Sequence, residues 1–174
     1  ANLFINGTLR GAENGSTFDI ISPWTAKPVG KAANASAKDV DEAIAAARNA
    51  FDNTDWSTNH ELRLSLVKKL YDLFDANRDR LSDLARNEAG SALGAISRAH
   101  VDMAMEGWQD FINVFDQVKW EKDYGTRTGY GFESVRKAVY EAVGVVGAIT
   151  PWNVPLYVNV GKVVAALLAG CTVI

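Results

Sequence analysis

The sequence predicts an α/β fold in which short N-terminal strands and a series of helices precede the start of a parallel sheet. Three observations support this class. Alternating apolar and polar residues flank Asn-Gly turns at positions 6–7 and 14–15, which is typical of short antiparallel strands. Apolar residues then recur at helical spacing from residue 36 to residue 115. The segment 144–174 carries Lys162 as its one charged side chain, as expected of a buried strand, helix and strand.

The composition is that of an ordinary globular domain, and it limits the partners that can be expected. The chain has 174 residues and a formal net charge of −3, and its basic residues are interspersed with acidic ones. This distribution provides no basic patch for nucleic acid or for an anionic membrane. Cys171 is the one cysteine, which excludes an internal disulfide and favours a reducing compartment such as the cytoplasm. No signal peptide or metal-ligand spacing is visible, and His60 and His100 are expected to be surface or capping residues.

Three amphipathic helices are predicted between the first strands and the parallel unit. The first begins at a capping box that runs from Ser36 to Asp39. The second begins at a similar box, residues 58–61, and is expected to end at Gly90. The third, around Met105, is apolar on much of its circumference, which predicts a buried helix. Its methionine and aromatic residues are interpreted as core rather than as a binding site.

A glycine-rich, charged stretch at 121–131 is interpreted as turn or linker sequence that closes a first region, residues 1–120. Residues 132–143 are predicted to form a strand on which neither face is cleanly apolar. Because a long exposed strand needs covering, we expect 121–143 to be an arm that contacts another subunit. A simple surface hairpin is an equally weighted alternative. The remaining region, 144–174, is the parallel unit.

The last segment predicts a β-α-β unit with a right-handed crossover. Residues 143–149 are apolar throughout and include several β-branched side chains, as in a strand covered on both faces. Pro155 suits the first position of a helix because its missing N–H is not used there, and Gly170 suits the end. The two prolines also divide the apolar run into stretches that are too short to span a membrane.

The turn after the first of these strands, Thr150 to Asn153, is the candidate site, because open α/β sheets bind ligands outside the carboxyl ends of their strands. It lacks the G-x-G-x-x-G motif, so a pyrophosphate is not expected to bind this turn in the standard way. The amide of Asn153 either donates to a developing oxyanion or caps the following helix. Lys162 either reaches water or assists proton movement in the cleft.

The residues GVVGAITPWNVPL at 144–156, Lys162, and ALLAGCTVI at 166–174 resemble the aldehyde dehydrogenase superfamily. The other elements, from FINGTL at 4–9 onward, come in the same order. The resemblance implies a Rossmann-like parallel sheet, a homodimer or homotetramer, and oxidation of a small-molecule aldehyde to an acid with NAD or NADP. The sequence does not distinguish the two cofactors.

The resemblance also implies roles for individual residues. It assigns to Asn153 a hydrogen bond to the oxyanion that forms when a catalytic cysteine attacks the aldehyde, and to Lys162 a part in proton transfer. Hydride transfer to the cofactor and hydrolysis of the thioester by a glutamate-activated water complete the implied reaction. The residues expected beside the nicotinamide are Ile149, Thr150, Pro151, Trp152 and Asn153. Those expected along a tunnel for a moderately apolar aldehyde are Met103, Val154, Tyr157, Val158 and Gly161.

The catalytic cysteine and glutamate of that family are expected to lie outside this sequence. Cys171 stands where the family has a small or polar residue, so we expect a buried, inert thiol. We therefore expect the sequence to be the N-terminal part of a longer NAD(P)-dependent aldehyde dehydrogenase and to be inactive alone. A two-stranded parallel sheet with an uncovered edge agrees with this. The alternative is a non-catalytic, truncated relative that uses the fold as an association module.

Overall fold

The computed structural model describes residues 1–90 and 95–174. Within these ranges the chain is a mixed α/β structure of helices and short sheets. The strands are β1 (Leu3–Ile5), β2 (Thr8–Arg10), β3 (Thr17–Ile21), β4 (Pro28–Ala33), β5 (Glu121–Gly129), β6 (Phe132–Val139), β7 (Val145–Val146) and β8 (Thr172–Val173). The helices are α1 (Ala37–Asn53), α2 (His60–Asp75), α3 (Arg78–Ala89), α4 (Ala95–Phe115) and α5 (Pro155–Leu168).

The N-terminal strands form two antiparallel pairs, β1 with β2 and β3 with β4. Asn6 and Gly7 join β1 to β2 and have φ values of 49° and 75°. Two consecutive positive φ angles are the geometry of the tight hairpin turns that Asn-Gly favours. The predicted hairpin at the chain start is therefore confirmed.

The prediction of turn or linker sequence at 121–131 is wrong for most of that stretch. β5 pairs antiparallel with β6 through a turn at Tyr130 and Gly131, so the segment is one hairpin. Gly125, with a φ of 74°, lies at a register shift between the strands, where the extra residue of a β-bulge needs this conformation. The glycines therefore shape the hairpin rather than interrupt it. β6 also ends at Val139, short of the predicted Val143.

The helix starts and stops follow side-chain chemistry. The capping box at the start of α1 is confirmed, because Ser36 and Asp39 each accept a hydrogen bond from the other's backbone N–H. α2 is instead capped by Asn59, whose side chain accepts from the Leu62 N–H. Gly90 ends α3 in a left-handed conformation, as predicted.

The single helix predicted up to Gly90 is two helices, α2 and α3, separated at Asn77. The Asn77 side chain donates a hydrogen bond of 2.8 Å to the Leu73 carbonyl. Asparagine competes in this way with the main-chain hydrogen bonds of a helix, which explains the break.

The core lies where α2, α4 and α5 meet. Trp108 of α4 is 1% exposed, and the rings of Tyr71 and Phe74 pack against it edge to face. The prediction that α4 is a core helix is confirmed. Its buried members with those of α2 and α5 are Val67, Val101, Ala104, Met105, Trp108, Ile112, Phe115, Val160, Val164 and Leu168.

The two histidines differ from the expectation of surface residues. His100 of α4 is 2% exposed, and burial lowers its pKa below the ordinary 6.5. His60 packs on the Trp120 ring at a centroid distance of 4.5 Å. A neutral imidazole is flat and largely apolar, which suits the buried position of His100 and the contact of His60 with an aromatic ring.

A buried cation joins α2 to the parallel unit. Arg63 is fully enclosed, and its Nε donates to the Leu168 carbonyl at 3.1 Å. Its Nη1 donates to the carbonyls of Trp56 and Ser57 at 3.1 and 2.8 Å. The guanidinium also lies over the Trp120 ring, 5.3 Å from its centroid.

The final segment has the predicted β-α-β order. β7 and β8 pair in parallel, with Val145 opposite Thr172, and α5 connects them. The Ala148 N–H donates to the Ile174 carbonyl at 2.8 Å, which extends the pairing toward the corner. The strands are shorter and less covered than expected, since Ile149 is 87% exposed. Among the helices of the described ranges, none has the length and apolar character needed to cross a bilayer.

Asp39 fixes the start of α1 to the N-terminal strands. Its carboxylate accepts hydrogen bonds from the backbone N–H groups of Ser36 and Glu13, and Arg10 lies 2.7 Å away. These contacts, led by the Ser36 N–H, lower the pKa of Asp39 from 3.8 to about 2. The carboxylate is therefore stabilised in the folded state.

We expect this carboxylate to contribute stability that is present above about pH 4 and lost as the pH falls toward 2. The unfolded state binds the proton first, so stability rises with pH across this window. In Asp39→Asn the amide cannot accept the same hydrogen bonds. The variant should unfold at lower denaturant than the parent at pH 6, and the difference should shrink between pH 4 and pH 2. A difference that is constant across that range would contradict the assignment.

Candidate active site at the strand-to-helix corner

The chain turns sharply between β7 and α5. Pro155 occupies the first turn of α5, where it needs no hydrogen-bond partner. Ile149 and Trp152 are 87% and 83% exposed, so the corner presents an apolar surface. This surface lies at the carboxyl end of a parallel strand, which is where open α/β sheets bind ligands.

Asn153 does not cap α5, so the capping alternative is wrong. The N-cap position is Val154, and no side-chain cap hydrogen bond is present there. The Asn153 side chain is exposed and forms no hydrogen bond within the described residues. Its amide N–H groups are therefore available to a ligand, while Pro151 and Pro155 stiffen the backbone on either side.

Lys162, in the interior of α5, forms a hydrogen bond to the corner. Its Nζ donates a hydrogen bond to the Ile149 carbonyl, although the side chain remains exposed. The ammonium thus joins α5 to the end of β7. Lys162 also lines a groove between α4 and α5, so it lies beside both the corner and that groove.

The groove between α4 and α5 has a volume of about 440 Å³. Of the predicted tunnel residues, Tyr157, Val158 and Gly161 line it, whereas Met103 and Val154 do not. The α4 side of the groove was missed by the sequence reasoning, although its small and aromatic residues recur at helical spacing. These α4 residues are Ala104, Gly107, Asp110 and Phe111.

A second groove, of about 650 Å³, lies between α1, the first hairpin and the β7–β8 sheet. Ile149 lines it, and alanines of α1 form part of its wall. The sequence reasoning missed this groove as well, but the recurrence of Ala43, Ala47 and Ala50 on one face of α1 is a visible signal.

The strand that follows α5 is fixed to the rest of the chain by its neighbours. The Cys171 carbonyl accepts a hydrogen bond of 2.8 Å from the Trp56 ring nitrogen. Thr172 donates from its hydroxyl to the Ala47 carbonyl of α1 at 3.0 Å. The Cys171 residue is 3% exposed, so the prediction of a buried thiol is confirmed.

The family model described as the aldehyde dehydrogenase family matches residues 10–174. The chain belongs to the aldehyde dehydrogenase family. It is 33% identical over 173 residues to the NADP/NAD-dependent aldehyde dehydrogenase PuuC of Escherichia coli (strain K12), covering 99% of this chain and 34% of that protein. It is 34% identical to aldehyde dehydrogenase 1 of Tanacetum cinerariifolium, with the same coverage of both chains.

Solved aldehyde dehydrogenase structures have the same fold as this chain. The aldehyde dehydrogenase of Mycobacterium tuberculosis, solved as a complex with NAD+, superimposes with a TM-score of 0.87 and 37% identity. This chain is matched over 99% of its length and that chain over 35%. A betaine aldehyde dehydrogenase of Staphylococcus aureus in complex with NAD+ gives a TM-score of 0.89 at 29% identity, over 99% and 34% of the two chains.

The family membership confirms the predicted fold class, with N-terminal helices followed by the start of a Rossmann-like parallel sheet. The chain spans about a third of the length of these aldehyde dehydrogenase relatives. Within the part that the structure covers, no group of three or more His, Cys, Asp or Glu side chains is placed to hold a metal ion.

Gly170 follows α5 and lies close to Ser57 and Arg63. Its φ is 91°, and an added Cβ would lie 2.9 Å from the Ser57 carbonyl oxygen. We expect Gly170→Ala to lower the free energy of unfolding by at least about 1 kcal/mol, because left-handed backbone disfavours a side chain and the main chain must also move. Denaturant unfolding measures this change.

Gly147→Ala is the matched control, because its added Cβ has no heavy atom of the described chain within 4 Å and its φ is not positive. It should unfold close to the parent protein. Equal unfolding midpoints for the two variants would contradict the proposed close approach at Gly170.

Proposed function

We propose that this protein is an NAD(P)-dependent aldehyde dehydrogenase that oxidises an aldehyde to a carboxylic acid through a cysteine thioester. The cysteine and the glutamate of this reaction belong to parts of the protein outside this sequence. The observation that carries the proposal is the corner at residues 149–155 of an aldehyde dehydrogenase chain, whose one exposed carboxamide has no partner in the described residues.

In this proposal Asn153 stabilises the negative charge that develops on the aldehyde oxygen. An oxyanion is stabilised best by donors that are already oriented, because little reorganisation is then needed during the reaction. The prolines on either side restrict the backbone at Asn153. Lys162 of α5 donates a hydrogen bond to the carbonyl of Ile149, where the corner begins. The Asn153 carboxamide is thus carried by a restricted backbone.

The corner residues fit the nicotinamide end of a cofactor. Ile149 and Trp152 present exposed apolar surface at the carboxyl end of the parallel strand. The residues proposed to hold the cofactor are Ile149, Thr150, Pro151, Trp152 and Asn153. When bound, the nicotinamide accepts a hydride from the substrate carbon. The relatives are compatible with either cofactor for this protein. The E. coli protein is NADP/NAD-dependent, and the M. tuberculosis structure is an NAD+ complex.

We assign the groove between α4 and α5 to the aldehyde. It is lined by three of the proposed tunnel residues and reaches Lys162, which is bonded to the corner. Met103 of α4 and Val154 at the corner are also proposed to contact the substrate, although neither lines the groove itself. Lys162 is proposed to assist proton transfer as well as to hold the corner.

The Asn153→Ala variant of the complete protein tests the proposed function. Removal of one oxyanion donor typically lowers kcat by about 10²- to 10³-fold. We expect a loss of this size with little change in the dissociation constant for NAD, measured by steady-state kinetics and by cofactor titration. Asn113→Ala on the exposed side of α4 is the matched control and should retain normal turnover. Normal turnover in Asn153→Ala would exclude an oxyanion role.

We propose that the β5–β6 hairpin is a subunit contact in a homodimer or homotetramer. Val135 and Val139 lie on one face of β6 and are 70% and 58% exposed. Exposed β-branched residues on a two-stranded hairpin are typical of a surface that another chain covers.

Val135→Glu should lower the oligomeric state, because it would bury a charge within that contact. Arg136→Glu, on the opposite face of β6, is the matched control and should leave the assembly intact. Analytical ultracentrifugation of the complete protein separates these outcomes. An unchanged sedimentation profile for Val135→Glu would exclude this face as a contact.

A further inference from the structure

The guanidinium of Arg63 is buried with no carboxylate among its described partners. Its Nε and Nη1 donate to main-chain carbonyls, whereas its Nη2 has no hydrogen-bond partner within the described residues. A buried charge without a counter-ion lowers the stability of a fold, and an apolar side chain of similar volume is often the more stable choice. The charge at this position therefore indicates a role beyond packing.

The contacts of Arg63 show that it completes the end of α5. The last four carbonyls of a helix have no partner within the helix. The three carbonyls before Leu168 accept hydrogen bonds from the N–H groups of residues 169–171. The carbonyl of Leu168 instead receives its hydrogen bond from Nε of Arg63, at 3.1 Å. Arg63 thus ties the end of α5 to the chain before α2, where it binds the Ser57 carbonyl.

The other end of α5 carries the candidate site. The helix has 14 residues and is therefore about 21 Å long. Lys162 joins its middle to the Ile149 carbonyl, so a tilt of about 6° around Lys162 would move either end by about 1 Å. A displacement of about 1 Å at a reacting group can lower a rate about a hundredfold. The contact of Arg63 with one end of α5 therefore affects the position of Asn153 at the other end.

The base of the β5–β6 hairpin holds Arg63 in turn. The guanidinium lies over the Trp120 ring, 5.3 Å from the ring centroid, and the face of an indole attracts a cation. The Trp120 carbonyl accepts a hydrogen bond of 2.9 Å from the Tyr140 N–H, which joins the two ends of the hairpin at this residue. Trp120 is therefore attached to the hairpin through its main chain and to Arg63 through its ring.

We propose that Arg63 and Trp120 are positioning residues that connect the base of the β5–β6 hairpin to the catalytic corner. Both act through α5, on which the orientation of Asn153 depends. This inference rests on the proposed function, because it makes the geometry of the oxyanion donor depend on a contact at the far end of the helix.

Trp120→Leu tests the connection in the complete protein. The change removes the aromatic face and keeps an apolar side chain. We expect the rate constant for formation of reduced cofactor in a single turnover, with enzyme in saturating excess over propanal, to fall about tenfold. A smaller folded fraction does not change this rate constant as long as the folded enzyme remains in saturating excess. An unchanged rate constant would overturn the proposal.

Two further tryptophan variants make this result specific. Trp120→Phe keeps an aromatic face for the guanidinium and should recover most of the parent rate constant. Trp24→Leu is the same change at an exposed tryptophan between β3 and β4, so it is the matched control and should keep the parent rate constant. Equal losses in Trp120→Leu and Trp120→Phe would overturn the role of the aromatic face.

Arg63→Lys tests the guanidinium itself. Lysine keeps the charge but replaces the planar fork of donors with a single ammonium group. The single-turnover rate constant should fall at least as much as in Trp120→Leu, because an ammonium does not match the arrangement of carbonyls around Arg63. A parent rate constant in Arg63→Lys would overturn the positioning role of the guanidinium.

The Asn153→Ala background tests whether the effect passes through the carboxamide. If Trp120 acts by orienting Asn153, Trp120→Leu should lower the rate constant less than about twofold in a protein that already lacks this amide. Independent effects would instead multiply. Equal losses in the parent and in Asn153→Ala would therefore overturn the path to the corner.

Hydrogen exchange of the complete protein measures the same connection without catalysis. In Trp120→Leu the N–H groups of residues 158–164 in α5 should exchange at least about fivefold faster, because α5 opens more readily when its far end is held less firmly. The N–H groups of α1, residues 37–53, are the internal control and should keep their parent rates. Parent exchange rates in α5 would contradict the connection.

The positioning role and the proposed function can fail separately. If the complete protein oxidises none of propanal, hexanal and benzaldehyde with either cofactor, or if Asn153→Ala has normal turnover, the proposed function fails. Hydrogen exchange then decides whether Trp120 holds α5. If Asn153→Ala is slow and Trp120→Leu keeps the parent rate constant, the proposed function survives and the positioning role is overturned.

Discussion

The arrangement of α5 relative to α2 depends on the enclosed guanidinium of Arg63. It is held by main-chain carbonyls of Trp56, Ser57 and Leu168 and by the Trp120 ring, with no carboxylate among its described partners. The Leu168 carbonyl lies at the last turn of α5, where the helix dipole is negative, so the backbone itself offsets the buried charge. Because three separate stretches of chain converge on one side chain, the direction of α5 is fixed relative to α2. The burial that this requires lowers the pKa of Arg63.

With its far end fixed in this way, α5 determines where the corner points. Lys162 adds a second attachment, from the middle of α5 to Ile149 at the end of β7. Between the two attachments lies Asn153, whose side-chain amide has no hydrogen-bond partner in the described chain. Rigid support beneath an unbonded polar group is the arrangement that electrostatic catalysis needs, because the support, rather than the substrate, provides the orientation. Packing against α4 then creates the groove that we assign to the aldehyde.

Local chemistry could predict much of this structure, and tertiary context explains what it could not. The capping box at Ser36 and the prolines of the corner act through the nearest few residues, so their patterns predicted the start of α1 and the strand-to-helix turn. Gly125 suggested a linker because sequence alone does not separate a bulge from a break. The burial of His100 and the separation of Asn153 from the cap of α5 depend on how the helices meet. The α4 side of the groove was similarly hidden, since it exists only where α5 packs against that helix.

The short β7–β8 sheet has a wider consequence for handling this part of the molecule. Its outer backbone groups and the alanine-lined groove beside it remain uncovered in the described chain. An uncovered strand is a template on which any extended peptide can add, and neighbouring copies are the most abundant peptides in a concentrated sample. This stretch produced by itself should therefore self-associate as its concentration rises.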